Sequence, residues 1–291
     1  MFINGVLYNS EVWHNISSTD IAIVENIDHQ LMRVICDGHS KTPIEFLYLE
    51  TKAQPLTHII STRRIMYLHH ILQKQETELV KRVYKAQKES PTKGDFVKLV
   101  EMDLKMIDVK FDEEAIKAES KSSFKKYIKS KMCEVSFQYL KKLQSNHSKV
   151  KHIQYDQFEI QPYLVSPKFS TKLAAILFNM RSSMTRGFQS NFPSMNDHQS
   201  TCPFKCSSRD EQCHLLACPV ILAKLTSLQE QAVMSVQYDD IFGSVEEQLE
   251  VTIVLAGLLE VREEMLEKEV ASLPVGNTVL QCTGPVSNCT I

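Results

Sequence analysis

Between Ser122 and Leu143 the apolar residues Phe124, Ile128, Met132, Val135, Tyr139 and Leu143 step by four, four, three, four and four. A helix gathers such spacing on one face and a strand scatters it over two, so the run predicts a helix of about six turns. Glycine extends that reading to the whole chain. Only 8 of 291 residues are glycine, too few for a fold of many tight turns, which needs glycine at positive-φ positions. Hydrophobic residues at 43% and charged residues at 23% suit a packed core and exclude wholesale disorder or a rod. The expected class is all-α.

Other segments repeat the pattern. Ser17-Ser18-Thr19-Asp20 offers N-caps to a helix with Ile21, Val24, Ile27, Leu31 and Val34 on its apolar side, and Gly38 is placed to end it. Pro43 opens a short helix through Leu49. Pro55 opens a longer one, with Leu56, Ile59, Ile60, Met66, Tyr67 and Ile71 as its buried stripe. Glu76 to Lys88 and Asp95 to Ile107 read as amphipathic helices separated by Ser90-Pro91-Thr92-Lys93-Gly94. The polar run Gln144 to Gln154 is the best linker. It divides a helical, basic region over 1–148 from a second helical region over 155–270, and 272–291, without periodicity, reads as a loose tail.

Net charge is only −2, but lysines dominate from Lys110 to Lys151 and carboxylates from Glu246 to Glu269. A polyanion would meet the middle of the chain. No run approaches the roughly 20 apolar residues of a membrane span, and the N-terminus lacks a basic stretch followed by an apolar one. The expectation is a protein neither membrane-bound nor secreted, residing in the nucleus or cytoplasm. In a reducing compartment, clustered cysteines among the eight present mean metal ligands more often than disulfides.

Residues 202–218 contain Cys202, Cys206, Cys213, His214 and Cys218. Zinc takes four thiolate or imidazole ligands in a tetrahedron, and a turn followed by a helix can supply them. The best quartet is Cys202, Cys206, His214 and Cys218, with His214 and Cys218 one turn apart on a helix beginning near Asp210. Cys213 points about 100° away from His214 around such a helix and is the spare, though it could replace a ligand. Buried thiols that merely pack are the alternative. Four protein ligands close the site, which makes the zinc structural.

Other features invite chemistry less. Tyr238-Asp239-Asp240 is one residue short of the Tyr-x-Asp-Asp metal turn of polymerases, and a helix N-terminus accounts for its carboxylates. His69 and His70 read as a helix-surface pair. Arg63, Arg64, Lys125, Lys126 and Lys129 could contact phosphates. The sequence contains no glycine-rich phosphate loop, nucleophile elbow or His-Glu-x-x-His, and the expectation is a non-enzyme.

From about residue 5 to 265 the chain resembles the region downstream of the polymerase palm in reverse transcriptases of non-LTR (LINE-like) retrotransposons. The pieces are Leu7 to Trp13, Ile23 to Asp28 through Arg33, Ser40 to Pro43 with Leu47 to Glu50, Arg63 to Leu72, Gln212 to Pro219 and Tyr238 to Gly243. The resemblance implies a helical thumb that clamps template and primer, followed by a Cys-Cys-His-Cys zinc knuckle at Cys202, Cys206, His214 and Cys218. It also places Tyr238-Asp239-Asp240 after the knuckle, outside any catalytic turn. The palm and fingers are absent, and the first knuckle spacing is one residue longer than the family's. The expected function is binding of RNA or DNA without turnover. The alternative is a zinc-stabilised helical scaffold for a protein partner.

Overall fold

A computed structural model describes residues 5, 7–13, 16–92, 94–185, 188, 201–206 and 208–272. The segment expected as a tail, beyond Ser272, lies outside the described residues. Twelve α-helices, with no strand among the described residues, form the all-α fold. They are α1 (Ser18–Ile35), α2 (Ile44–Thr51), α3 (Leu56–Leu72), α4 (Leu79–Glu89), α5 (Phe96–Met106), α6 (Glu113–Ala118), α7 (Lys121–Ser145), α8 (Pro162–Val165), α9 (Thr171–Arg181), α10 (Pro219–Leu222), α11 (Ser227–Met234) and α12 (Val245–Ser272). Among the described residues no helix is long and apolar enough to cross a membrane.

Helix ends follow local chemistry. Ser17 and Asp20 form a reciprocal capping box at the start of α1, and prolines precede α2 and α3. At the end of α1 the left-handed residue is Asp37, with φ of 47°, rather than Gly38. The amides of Asp37 and Gly38 donate to the carbonyls of Val34 and Arg33, which closes a Schellman turn. Gly38 serves close approach instead, because a Cβ there would lie 2.9 Å from the Phe178 ring.

Two main hydrophobic cores form. The smaller is nearly contiguous in sequence: Ile65 and Leu68 of α3, Val100 and Leu104 of α5, and Phe124 and Ile128 of α7 belong to it. The larger gathers Phe46 and Leu49 of α2, Leu140 of α7, Phe178 of α9, Cys218, and Leu255 of α12. Residues Val150, Ile153 and Tyr155 are buried in it, so the run expected as a linker is part of the core. Gln144 fixes that run by donating to the carbonyls of Val150 and Ile153, both at 2.7 Å.

Helix α7 serves both cores, which changes its expected stripe. Burial proceeds strictly by fours through Phe124, Ile128, Met132, Ser136, Leu140 and Gln144, whereas Tyr139 and Leu143 are exposed. Each four-residue step turns about 40° around the helix, so the buried side rotates by roughly 200° over the five steps. Val135 packs on the small core, and Phe137 and Leu140 on the large one. Ser136 sits at the crossing, where its hydroxyl donates to the Met132 carbonyl at 2.7 Å and meets His58 Nδ1 at 2.9 Å.

The face of α1 also differs from expectation. Asp28, Met32 and Cys36 point inward, while Ile23, Ile27, Val34 and Ile35 are exposed. Apolar residues occur on both sides of this helix, and contact with α2 selects the side that carries Asp28, whose carboxylate accepts from the Tyr48 hydroxyl at 3.2 Å.

Candidate metal centre

The cluster begins in a tight loop. Thr201 and Arg209 pair as an isolated antiparallel bridge, and the Cys202 amide donates to the Ser208 carbonyl at 2.8 Å. Within the loop Lys205 adopts φ of 58°, and its amide donates to the Cys202 carbonyl at 3.0 Å. That left-handed residue turns the chain back between the two cysteines and accommodates the three-residue spacing.

The second pair comes from a different element than expected. Residues Gln212–Leu216 form a 3-10 turn, and Cys218 is extended, with φ −70° and ψ 110°, so no α-helix carries both His214 and Cys218. Pro219 is the reason: its ring disfavours helical backbone at the residue before it and begins α10 instead. The two side chains converge all the same.

One ligand atom from each of Cys202, Cys206, His214 and Cys218 lies within 4.8 Å of the others. Cys218 Sγ is 3.9 Å from Cys202 Sγ and 4.0 Å from Cys206 Sγ, and His214 Nε2 is 3.0 Å from Cys206 Sγ. Metal–sulfur bonds of about 2.3 Å in a tetrahedron give sulfur–sulfur edges of about 3.8 Å. The thiols therefore stand at the edges of a coordination shell and well beyond the roughly 2 Å of a disulfide. This set could hold a metal ion. Cys213, left open as a substitute ligand, is exposed, with its thiol toward the Glu211 carboxylate at 3.7 Å. It is not one of the four.

Burial pushes the Cys202 thiol up to about 12. Desolvation acts the same way on Cys206, but the Ser208 amide and neighbouring thiols outweigh it and bring Cys206 below its ordinary value. A ligand thiol must lose its proton to bind, so ion uptake by this set releases protons.

The cluster is fixed to the core by side chains not recognised in the sequence. Asp210 pairs with Arg262 of α12 at 2.9 Å, both almost fully buried. The same guanidinium lies 4.5 Å from the Phe188 ring and 5.7 Å from that of Phe204. Gln212 donates to Tyr238 Oη at 2.8 Å and to the Met180 carbonyl at 3.0 Å, and accepts from the Thr185 amide at 2.8 Å. Tyr238 thus supports the cluster. Asp240 accepts from the Gln237 amide at 2.6 Å and caps a short 3-10 turn over Tyr238–Phe242, as its expected helix-terminal role requires.

Elsewhere in the large core, Glu50 is fully buried. Its carboxylate accepts from the Tyr155 and Tyr163 hydroxyls at 2.5 Å each, and pairs with Arg181 at 3.0 Å. Arg181 in turn donates to the Ile241 carbonyl at 2.8 Å. Desolvation, then the Glu50 charge, pushes both tyrosines well above the usual phenol range, so they stay neutral donors. Nothing in the sequence marks this network, because Glu50 and Arg181 are 131 positions apart.

The basic residues separate into two groups. Lys125, Lys126 and Lys129 are exposed on the first half of α7, and none has an ion pair among the described residues. Arg64 instead faces inward and pairs with Asp103 at 3.1 Å, and Asp103 also accepts from Ser61 at 2.8 Å. Arg63 is directed to the Leu7 carbonyl and, at 3.4 Å, to Ser10 Oγ. Both arginines, expected as phosphate contacts, hold the fold. His69 also departs from the expected surface pair: it is buried, stacks on Phe124 at 5.0 Å and meets the Glu119 carbonyl at 2.9 Å, leaving His70 alone in the open.

Compared with protein-family models, curated proteins and solved structures, the chain matches none of them.

Proposed function

We propose that this chain binds RNA or DNA without turning it over, on a frame stabilised by structural zinc at Cys202, Cys206, His214 and Cys218. Three thiolates and an imidazole suit zinc, and four protein ligands leave no position for a reacting water. When bound, the zinc supplies a cross-link between the 202–206 loop and the turn before α10. The residues of this chain do the rest: Asp210 and Arg262 hold the loop against α12, and Gln212 ties it to Met180 of α9 and to Tyr238.

The observation that carries the binding reading is the lysine face of α7. Lys125, Lys126 and Lys129 present their charge from a rigid helix, unneutralised by neighbouring carboxylates. Phosphate neutralisation by such lysines gives sequence-independent affinity that weakens with salt. This is the use a thumb would make of the region, in keeping with the resemblance to the non-catalytic part of a retrotransposon-type polymerase.

The experiment is binding of zinc-quantified protein to a labelled RNA and a primer-template duplex across a salt series, with a Lys125→Glu, Lys126→Glu, Lys129→Glu variant. On the duplex, the slope of log K against log salt should fall by about 0.9 for every phosphate that the variant no longer neutralises. Absence of salt-sensitive binding in the parent protein, or an unchanged slope in the variant, refutes the reading.

A second reading draws on α1. Ile23, Ile27, Val34 and Ile35 leave an apolar face in solvent, with Val34 77% and Ile35 70% exposed, and such faces mark protein contacts. It favours a zinc-stabilised scaffold whose partner is a protein. Binding that persists unchanged at high salt would support it.

A further inference from the structure

Between α4 and α6 lies a cleft of about 530 Å³ whose walls include Lys81, Lys85, Lys88 and Lys117 on one side of the charge balance and Glu76, Glu89, Glu113 and Glu114 on the other. Its charges are not equally matched. Lys85 pairs with Glu76 at 2.5 Å, and Lys88 with Glu113 at 2.6 Å. Glu113 also accepts from the Tyr84 hydroxyl at 2.7 Å. Lys117 has no ion pair, and Lys81 has neither an ion pair nor a side-chain hydrogen bond, among the described residues.

Lys81 is the unusual group. It is only 6% exposed, and its Nζ lies 5.8 Å from the centre of the Tyr84 ring. The buried part is its stem, and its Nζ keeps contact with the water of the cleft, as a long cationic side chain does when it lays its methylenes on apolar surface. Here Glu76 and Glu113 are taken up by Lys85, Lys88 and Tyr84. Residues 81, 84, 85 and 88 fall on one side of α4, so the helix aims a row of cations into the space, and the innermost of them faces Glu76 and Glu113 at longer range without a direct ion pair among the described residues.

We propose that this cleft binds a phosphate group, with Lys81 and Lys117 supplying the charge that neutralises it. Two separated ammonium groups suit a dianion, and lysine serves phosphate as a point charge. Glu89 and Glu114, exposed at the same cleft, repel a long polyanion laid across it and favour a compact terminal phosphate. That group could be free phosphate or the 5′-phosphate end of a strand. The site stands whether or not the lysines of α7 bind nucleic acid.

The test is titration of the full chain with inorganic phosphate at constant ionic strength, balanced with chloride, following the lysine Cε signals by NMR. A saturable shift of the Lys81 and Lys117 signals is expected. Lys81→Met keeps the buried stem and should weaken phosphate at least tenfold; Lys117→Met should weaken it less. Lys98→Met, at a lysine paired with Glu101 elsewhere, should change nothing. Circular dichroism verifies that each variant is folded. The absence of a saturable response in the parent protein, or an unchanged affinity in folded Lys81→Met, overturns the assignment. Oligonucleotides with and without a 5′-phosphate identify the source: a preference for the phosphorylated strand that disappears in Lys81→Met points to a strand end, and equal binding points to free phosphate or a small monoester.

Discussion

The two cores are built on opposite plans. The smaller one runs from Ile65 to Met132 without leaving that stretch of chain, and its helices meet through aliphatic and aromatic side chains with, among the described residues, one buried ion pair, Arg64 and Asp103. The larger one collects residues from Met32 to Leu258 and is pinned by Glu50–Arg181, Asp210–Arg262 and the cluster of three cysteines and a histidine. Loop closure over long separations costs entropy before any contact repays it. A core assembled from distant segments therefore depends on a few strong, directional links, whereas a local core can rest on packing alone.

Metal removal should separate the two plans most sharply. Structural zinc sites carry apparent binding free energies on the order of 10 kcal/mol. Chelation, or Cys218→Ser, should abolish hydrogen-exchange protection around 201–222 and weaken it in α12, while α5 and the first half of α7 keep theirs. Loss of protection in both regions together would show that the cores are one cooperative unit.

Next in size is the buried ion pair of Glu50 and Arg181. Arg181→Met strands the Glu50 charge and should cost about 3–5 kcal/mol in urea unfolding. Adding Glu50→Gln should recover part of that loss, since a neutral amide still accepts from Tyr155 and Tyr163. A double variant no better than the single one argues against the stranded charge as the cause.

Ile128→Ala probes the other plan. It removes a fully buried side chain from the small core and should cost about 2–4 kcal/mol through lost burial and a cavity, with zinc stoichiometry unchanged. A drop in bound zinc would instead tie the metal site to the small core through α7.

The smallest effect lies at Asp28 on the rim of the large core. Desolvation holds its carboxyl above the ordinary value, partly offset by the Tyr48 hydroxyl, and one of its oxygens has no partner among the described residues. A raised carboxyl binds its proton more readily in the folded state than in the unfolded one. This group therefore favours folding as pH falls through the window just above 3.8 and opposes it once ionised. Asp28→Asn should raise stability at pH 7 by less than about 1 kcal/mol, and the gain should shrink toward pH 4. Thermal melts across that range measure it; destabilisation at pH 7 would mean the charge is needed.

Much of the secondary structure is legible along the chain because its causes are local. The Ser17–Asp20 box, the prolines before α2 and α3, and the four-residue spacing of α7 act within a turn or two. The quartet that could hold a metal was legible for a similar reason, as its members span residues 202–218. The expected helix under His214 and Cys218 failed on Pro219, a signal that was present. The inward side of α1 was not readable, because Ile23 and Val34 are as apolar as Met32 and only the neighbour α2 selects between them.

What the sequence alone determined is therefore the helical class, most helix starts, and which cysteines and histidine could act together. Tertiary structure decided which charges are free and which are structural: Arg64 meets Asp103 inside, Glu50 meets Arg181, and Lys125, Lys126 and Lys129 stay in solvent. The physical reason is range. Capping, helix period and a compact ligand set operate over a few residues, whereas the burial of a charge depends on a partner delivered by a distant part of the chain.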